Sequence, residues 1–313
     1  MALTKVTSTV LADASVKTAI LDDLAVTTGK LNDLAVTTGK LANDAVDYTK
    51  LSIPAYEGQG STDTLTAADY GRTIYCTGLT GDITITLPDS ATVGSGWWVK
   101  IVRGANDNGE DVTISRAGSD TITWGSDSAL TSLLLTGDGD HMELVSTGSG
   151  WIATGDMQVT LNVYPDFPLG TTGQTVSTGN FTDIQYDVVN QDSHSGFNTG
   201  TYEYTVPFSG NWLVTASAVF ETGSGTDYFA AIYINQSGTG DTLQFGGTVP
   251  ADTGNNSFQQ IQLNGMWNFE KGAVLKVRCQ HTHGSNRQIN DSDFIGESAN
   301  MTLWTMTRIG NRR

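Results

Sequence analysis

The sequence predicts an all-β protein in three parts: a thin repeat segment, a small β-sandwich or barrel, and a larger jelly-roll sandwich. Three observations lead there. Residues 11 to 50 repeat one decapeptide phrase four times. The composition sets 36 Gly against 6 Pro, with abundant Thr, Ser and Asn, as expected of short strands joined by tight turns. After Pro54 the apolar residues alternate, the mark of half-buried strands.

The first part, residues 1–54, contains LADASVKTAI, LDDLAVTTGK, LNDLAVTTGK and LANDAVDYTK. Leu11, Leu21, Leu31 and Leu41 open the units, and Val16, Val26, Val36 and Val46 lie halfway through them. Units this thin cannot enclose a core, and repeats that cannot bury their own apolar face are stabilised by neighbours. The expectation is a stalk built from several copies of the chain. Ten residues of ideal helix turn through about 1000°, short of three full turns, so the stripe drifts and a long coiled coil is not expected. Thr27 or Thr28 can cap a turn over Lys30 to Leu34, so short helical turns alternating with extended steps are predicted, with Gly29 and Gly39 at the joints. A solvated flexible tail is the alternative.

In residues 55–156, Ile83, Ile85 and Leu87 alternate with Thr84 and Thr86 before Pro88 ends the run. Trp97, Val99 and Ile101 follow, then Val112 and Ile114, Ile122 and Trp124, Leu133 to Leu135, and Met142 to Val145. Short strands at turn-punctuated intervals make a small sandwich or barrel. The phrase GSGW occurs at Gly94 to Trp97 and again at Gly148 to Trp151, which suggests two hairpins, each with an aromatic plug. If Trp97 points inward, Trp98 points outward and needs a partner subunit or a glycan to cover it. The acidic turns 106–111 and 137–140 lack the ligand spacing of a calcium loop and are read as solvated.

In residues 157–313 the alternation is stronger: Tyr202, Tyr204 and Val206; Trp212, Val214, Ala216, Ala218 and Phe220; Tyr228, Ala230, Ile232 and Ile234; Ile261, Leu263 and Trp267; Leu275, Val277 and Cys279; Met301 and Leu303. So many strands in this length fit a jelly roll. Cys279, His281 and His283 would share one strand face, and copies gathered around an axis offer one way to hold a transition metal at His281 and His283. An ordinary strand end meets the same spacing, and no cofactor is expected. Loops carry recognition on rigid β scaffolds, which nominates Asp227, Tyr228, Asn255, Asn256 and Asn286, with Trp98 in the first body.

The repeat phrase AVTTGKL resembles the stalks of tailed-bacteriophage fibre proteins. The stretch LTAADYGRTIYCTGLTGDITITLPDS, with the GSGW turns, is similar to a small β-domain of those fibres. In FNTGTYEYTVPFSGNWLVTASAVF, Gly200, Tyr202, Tyr204, Pro207, Gly210 and Trp212 occupy the positions of a pattern in the complement globular-head and tumour-necrosis-factor family, and Phe181 and Asp293 to Gly296 continue it. That second resemblance implies a homotrimer. The first implies a virion protein, a tail fibre that contacts a host surface glycan or protein and joins other virion proteins through its N-terminal segment. A head fibre or other decoration protein, structural without primary receptor binding, is the alternative.

The formal charge of −17 argues against a nucleic-acid partner, which needs clustered Lys and Arg to neutralise phosphates. No apolar run approaches the ~20 residues of a membrane span, so no membrane insertion is expected, and MALTKVTSTV lacks the apolar core of a secretion signal. Synthesis in a cytoplasm and residence in a virion are the expectation. Cys76 and Cys279 fall in different parts, so no disulfide framework is indicated. Acidic residues such as Asp187, Asp192, Asp291 and Asp293 abound, but no nucleophile elbow, metalloprotease signature or phosphate loop accompanies them, and an enzyme is not expected.

Overall fold

The computed structural model describes residues 56–105, 109–165, 173–221, 223–224, 227–252, 258–289 and 302–310. The stalk expected over residues 11–50 lies outside them, as do Asn255 and Asn256. Pro54–Arg313 forms one compact unit, made of two β bodies.

The first body has two facing sheets. The larger contains β1 (Tyr56–Gln59), β3 (Thr73–Cys76), β5 (Trp98–Arg103), β7 (Ile122–Trp124), β8 (Asp127–Leu130), β10 (His141–Ser146) and β11 (Trp151–Asp156), in the order β1-β3-β5-β10-β11-β7-β8. The smaller has the order β2 (Asp63–Thr64), β4 (Ile83–Thr86), β6 (Val112–Ser115), β9 (Ser132–Leu135). From β1 to β6 the chain alternates between the sheets, so β1, β3 and β5 pair parallel, and so do β2, β4 and β6. Parallel neighbours need a crossover, and here the strand in the opposite sheet supplies it in place of a helix. The body is therefore wound like a short solenoid before β9, β10 and β11 close it with antiparallel pairs. Ile83, Ile85, Val99, Ile101, Val112, Ile114, Leu133 and Leu135 fill the space between the sheets, as their alternation predicts.

The winding corrects one expectation. Gly148 to Trp151 does turn the β10–β11 hairpin, but Gly94 to Trp97 cannot be a hairpin, because β4 and β5 lie in different sheets. A single helical turn, Ser90–Val93, capped by the Asp89 carboxylate on the Thr92 amide at 2.8 Å, carries the chain across instead. The two phrases still meet in space. The Gly96 amide donates to the Ser146 carbonyl at 2.8 Å, and Trp97 packs edge-on against Trp151 with centroids 5.5 Å apart.

The second body is a jelly roll of two antiparallel sheets. One runs β15 (Val188–Asp192), β12 (Thr160–Tyr164), β26 (Trp304–Gly310), β18 (Gly210–Glu221), β23 (Phe258–Phe269). At its far end β25 (Arg287–Ile289) joins β18 and pairs with β13 (Gln174–Val176). The other sheet runs β16 (Phe197–Asn198), β17 (Glu203–Thr205), β24 (Val274–His281), β20 (Tyr228–Gln236), β21 (Gly240–Val249), with β14 (Thr182–Asp183) on β24. A two-residue parallel pair, β19 (Gly223–Ser224) and β22 (Ala251–Asp252), lies apart from both sheets. Trp212, Val214, Ala216, Ala218 and Phe220 of β18 face the core across from Leu275, Val277 and Cys279 of β24.

Two strand readings shift. Tyr202 sits in a turn at φ 55°, and β17 begins at Glu203. In the last strand Trp304 and Met306 are fully buried while Leu303 is only half-buried, so the inward set is one residue out of step with the Met301 and Leu303 pattern. A one-residue slip exchanges the two faces, and the larger Trp304 decides it.

The bodies interlock where Phe208 and Ser209, just before β18, and Arg308 of β26 meet β7 and β8. Trp124 packs edge-on against Phe208 at 5.2 Å, and the Arg308 guanidinium lies 4.0 Å from the Trp124 ring centroid. The Asp127 carboxylate accepts from the Ser209 amide at 2.8 Å and its hydroxyl at 2.7 Å. The opposite end of the jelly roll, where β18 and β24 finish and β20 begins, is its free end among the described residues.

Candidate functional site at the free end of the jelly roll

Three strand ends build this region. Because β20 and β24 are paired, with Ala230 opposite His281, the beginning of one meets the end of the other. Asp227 and Asn286 are exposed there. Tyr228 is not the loop residue expected. It is only 4% exposed, its hydroxyl donates to the Glu221 carbonyl, and burial pushes that hydroxyl well above its ordinary pKa. The first residue of β20 simply falls on the inward side of the pleat, in step with Ala230 and Ile232.

His281 and His283 also turn inward. Cys279 and His281 do share a strand face, but it is the core face of β24, so no partner copy can reach it. His281 Nε2 bonds the Val176 carbonyl at 2.9 Å, and its Nδ1 accepts the His283 amide at 3.2 Å. His283 Nε2 takes a hydrogen bond from Arg287 at 2.7 Å, and its Nδ1 lies 3.2 Å from the Ser285 carbonyl. With both nitrogens of each ring engaged, the pair is arranged as a packing element rather than a ligand set, and among the described residues no group of three His, Cys, Asp or Glu side chains could hold a metal ion. The Tyr228 ring meets both imidazoles edge-on, at 5.6 and 5.2 Å.

Sequence reasoning missed the groups that complete the network. Arg287 reaches Glu221 at 3.8 Å, and Thr178 donates to the His283 carbonyl. Glu221 and Thr178 are remote in sequence from the histidines, and Arg287, though four residues after His283, carries no periodic signal. The cysteines are buried in separate bodies, and burial pushes the Cys76 thiol up to about 12, so it stays an unreactive thiol.

Trp98 lies in the other body and does point outward, opposite to Trp97. It is half-buried because Tyr70 stands edge-on to it at 6.3 Å. Val145, and then Ile152 at 48% exposure, extend its row across the sheet. The chain thus supplies part of the cover that the sequence left to a partner or a glycan.

No protein-family model matches the chain, and no curated protein matches it. Solved structures do, over about half of it. Murine APRIL at pH 5.0 is 12% identical with a TM-score of 0.35, over 49% of this chain and 99% of that one. Eiger TNF from S. frugiperda is 10% identical with a TM-score of 0.36, over 50% of this chain and 95% of that one. Murine APRIL at pH 8.5 is 13% identical with a TM-score of 0.34, over 49% and 99%. At such scores the likeness carries no argument, and the jelly-roll assignment stands on strand order and pairing. Among the described residues no helix is long and apolar enough to cross a membrane.

Proposed function

We propose that the chain is a homotrimeric, non-enzymatic virion fibre, a tail fibre whose N-terminal repeats join other virion proteins and whose jelly roll touches a host surface glycan or protein. The observation that carries the reading is an uncharged, partly apolar sheet face. On the outer side of β18, β23 and β26 stand Asn211, Leu213, Thr215, Gln262, Asn264, Met266, Asn268, Thr305, Thr307 and Ile309. Leu213, Met266 and Ile309 are 46%, 68% and 50% exposed, and Leu213 and Met266 are direct cross-strand neighbours. In a chain of formal charge −17, copies can approach only where no carboxylate meets another. The decapeptide repeats, which need partner chains, support the same assembly.

Attachment would be multivalent, with three weak sites on one head and several fibres on one particle raising avidity. Of the nominated residues, Asp227 and Asn286 are exposed at the free end. The test is competition: purified full-length chain added to host cells should bind them and block infection. Failure of the folded assembly to bind removes the adhesin reading. A structural head-fibre role is the second reading, favoured by the inward turn of Tyr228, His281 and His283, which takes three of the nominated side chains away from the surface.

A further inference from the structure

The polar network beneath the free end is built for uncharged imidazoles. Arg287 donates at every accessible pH, so its 2.7 Å contact requires a lone pair on His283 Nε2. His283 Nδ1 faces the Ser285 backbone N–H and hydroxyl, each at 3.1 Å, as well as the Ser285 carbonyl at 3.2 Å. His281 Nδ1 must accept as well, because the His283 backbone N–H points at it, and its Nε2–H goes to Val176. A second proton on either ring turns an acceptor into a donor that faces another donor. Burial, then the neighbouring His283 and Arg287, hold His281 below its ordinary pKa against the Val176 carbonyl.

Among the described residues the groups facing the pair are few. Tyr228 of β20 presents its ring edge, Arg287 of β25 presents its guanidinium, and Thr178, after β13, donates to the His283 carbonyl. Glu221, at the end of β18, is the nearby carboxylate. It is engaged by Arg287 at 3.8 Å and the Gln288 amide at 3.4 Å rather than by either imidazole.

We propose that the free end is an acid-opened latch, in which protonation of His281 places a proton on Nδ1 against the His283 backbone N–H, breaks the His283–His281 contact and releases residues 282–289 from β13 and from the start of β20. Those residues are held by the β13–β25 pairing and by Thr282, whose amide donates to the Phe229 carbonyl at 2.9 Å and whose hydroxyl accepts the Phe229 amide at 3.0 Å. Opening would rearrange the surroundings of Asp227 and Asn286, and it does not depend on the fibre reading.

Hydrogen exchange on the full-length assembly tests this at about pH 7.5 and about pH 5, after correction for intrinsic rates. Residues 174–178 and 282–289 should exchange at least about tenfold faster at the lower pH, while β5 and β10 do not change. A His281→Gln, His283→Gln double variant, whose amides accept at either pH, should bring the ratio back to about one. Equal protection of the wild type at both pH values overturns the latch, as does a folded double variant that keeps the acceleration. If the double variant fails to fold, titration of the His281 imidazole in the wild type decides. Values below the ordinary histidine range support the latch, and values at or above it overturn it.

Discussion

Asp127 of the first body grips Ser209 of the second through both of its carboxylate oxygens, at 2.8 Å to the amide and 2.7 Å to the hydroxyl. Both residues are buried, and Ser209 passes the contact on: its hydroxyl accepts the Lys271 amide at 2.8 Å and its carbonyl accepts Arg308 Nε at 3.1 Å. Asp127→Ala would leave a buried amide and hydroxyl without their charged acceptor, a loss of about 2–4 kcal/mol. Asp127→Asn keeps one acceptor and should lose less. Denaturant unfolding followed by tryptophan fluorescence checks this, with one cooperative transition expected to split in Asp127→Ala as the bodies uncouple.

The paired tryptophans give a second expectation. Trp151 packs against Trp97, and its indole N–H donates to Asp120 at 3.2 Å. Trp151→Ala should cost about 3–5 kcal/mol, because the two sheets cannot close over the space. A change below about 1 kcal/mol in the denaturation midpoint would show that the pair does not hold the first body shut.

Gly155 in β11 has φ 148°, and a Cβ there would lie 2.2 Å from the His141 carbonyl oxygen across the hairpin. Gly155→Ala should therefore destabilise by about 2–4 kcal/mol or abolish soluble expression, whereas Gly139→Ala, with open space around it, is limited to the cost of its positive φ. Comparing the thermal midpoints of the two variants checks the ranking.

Two histidines set a pH dependence. Burial holds His194, which packs edge-on to Phe208 near the junction, below its ordinary value against the opposing pull of the Leu134 backbone, Asp192 and Asp140. His281 is lowered likewise. Each is kept neutral in the fold, so below about pH 6.5 the unfolded chain binds more protons and stability falls as pH drops through each lowered value. The thermal midpoint should be lower at pH 5 than at pH 7.5, and His194→Gln with His281→Gln should flatten the slope. Asp183, also lowered, acts only in the more acidic carboxylate range and does not confuse this window.

Much of the fold was legible because alternation reports burial directly. The inward residues of β4, β6, β18 and β20 stood in the sequence as they stand in the structure. The parallel winding of the first body was not, since pattern tells which face a residue takes but not which sheet its strand joins. Leu303 and Trp304 were exchanged because both are apolar and period two has no absolute phase. The candidate site was less readable still. Tyr228, His281 and His283 look like polar loop and ligand chemistry one residue at a time. Only strand pairing shows them facing inward, held by Glu221, Arg287 and Val176.

The assembly itself decides the rest. Sedimentation equilibrium of the full-length chain at micromolar concentration should give three times the 33.2 kDa chain mass. Met266→Asp, placed at the centre of the uncharged face, should shift it toward the single chain without unfolding the β bodies. A folded wild-type species of one chain mass at that concentration would contradict the trimeric fibre.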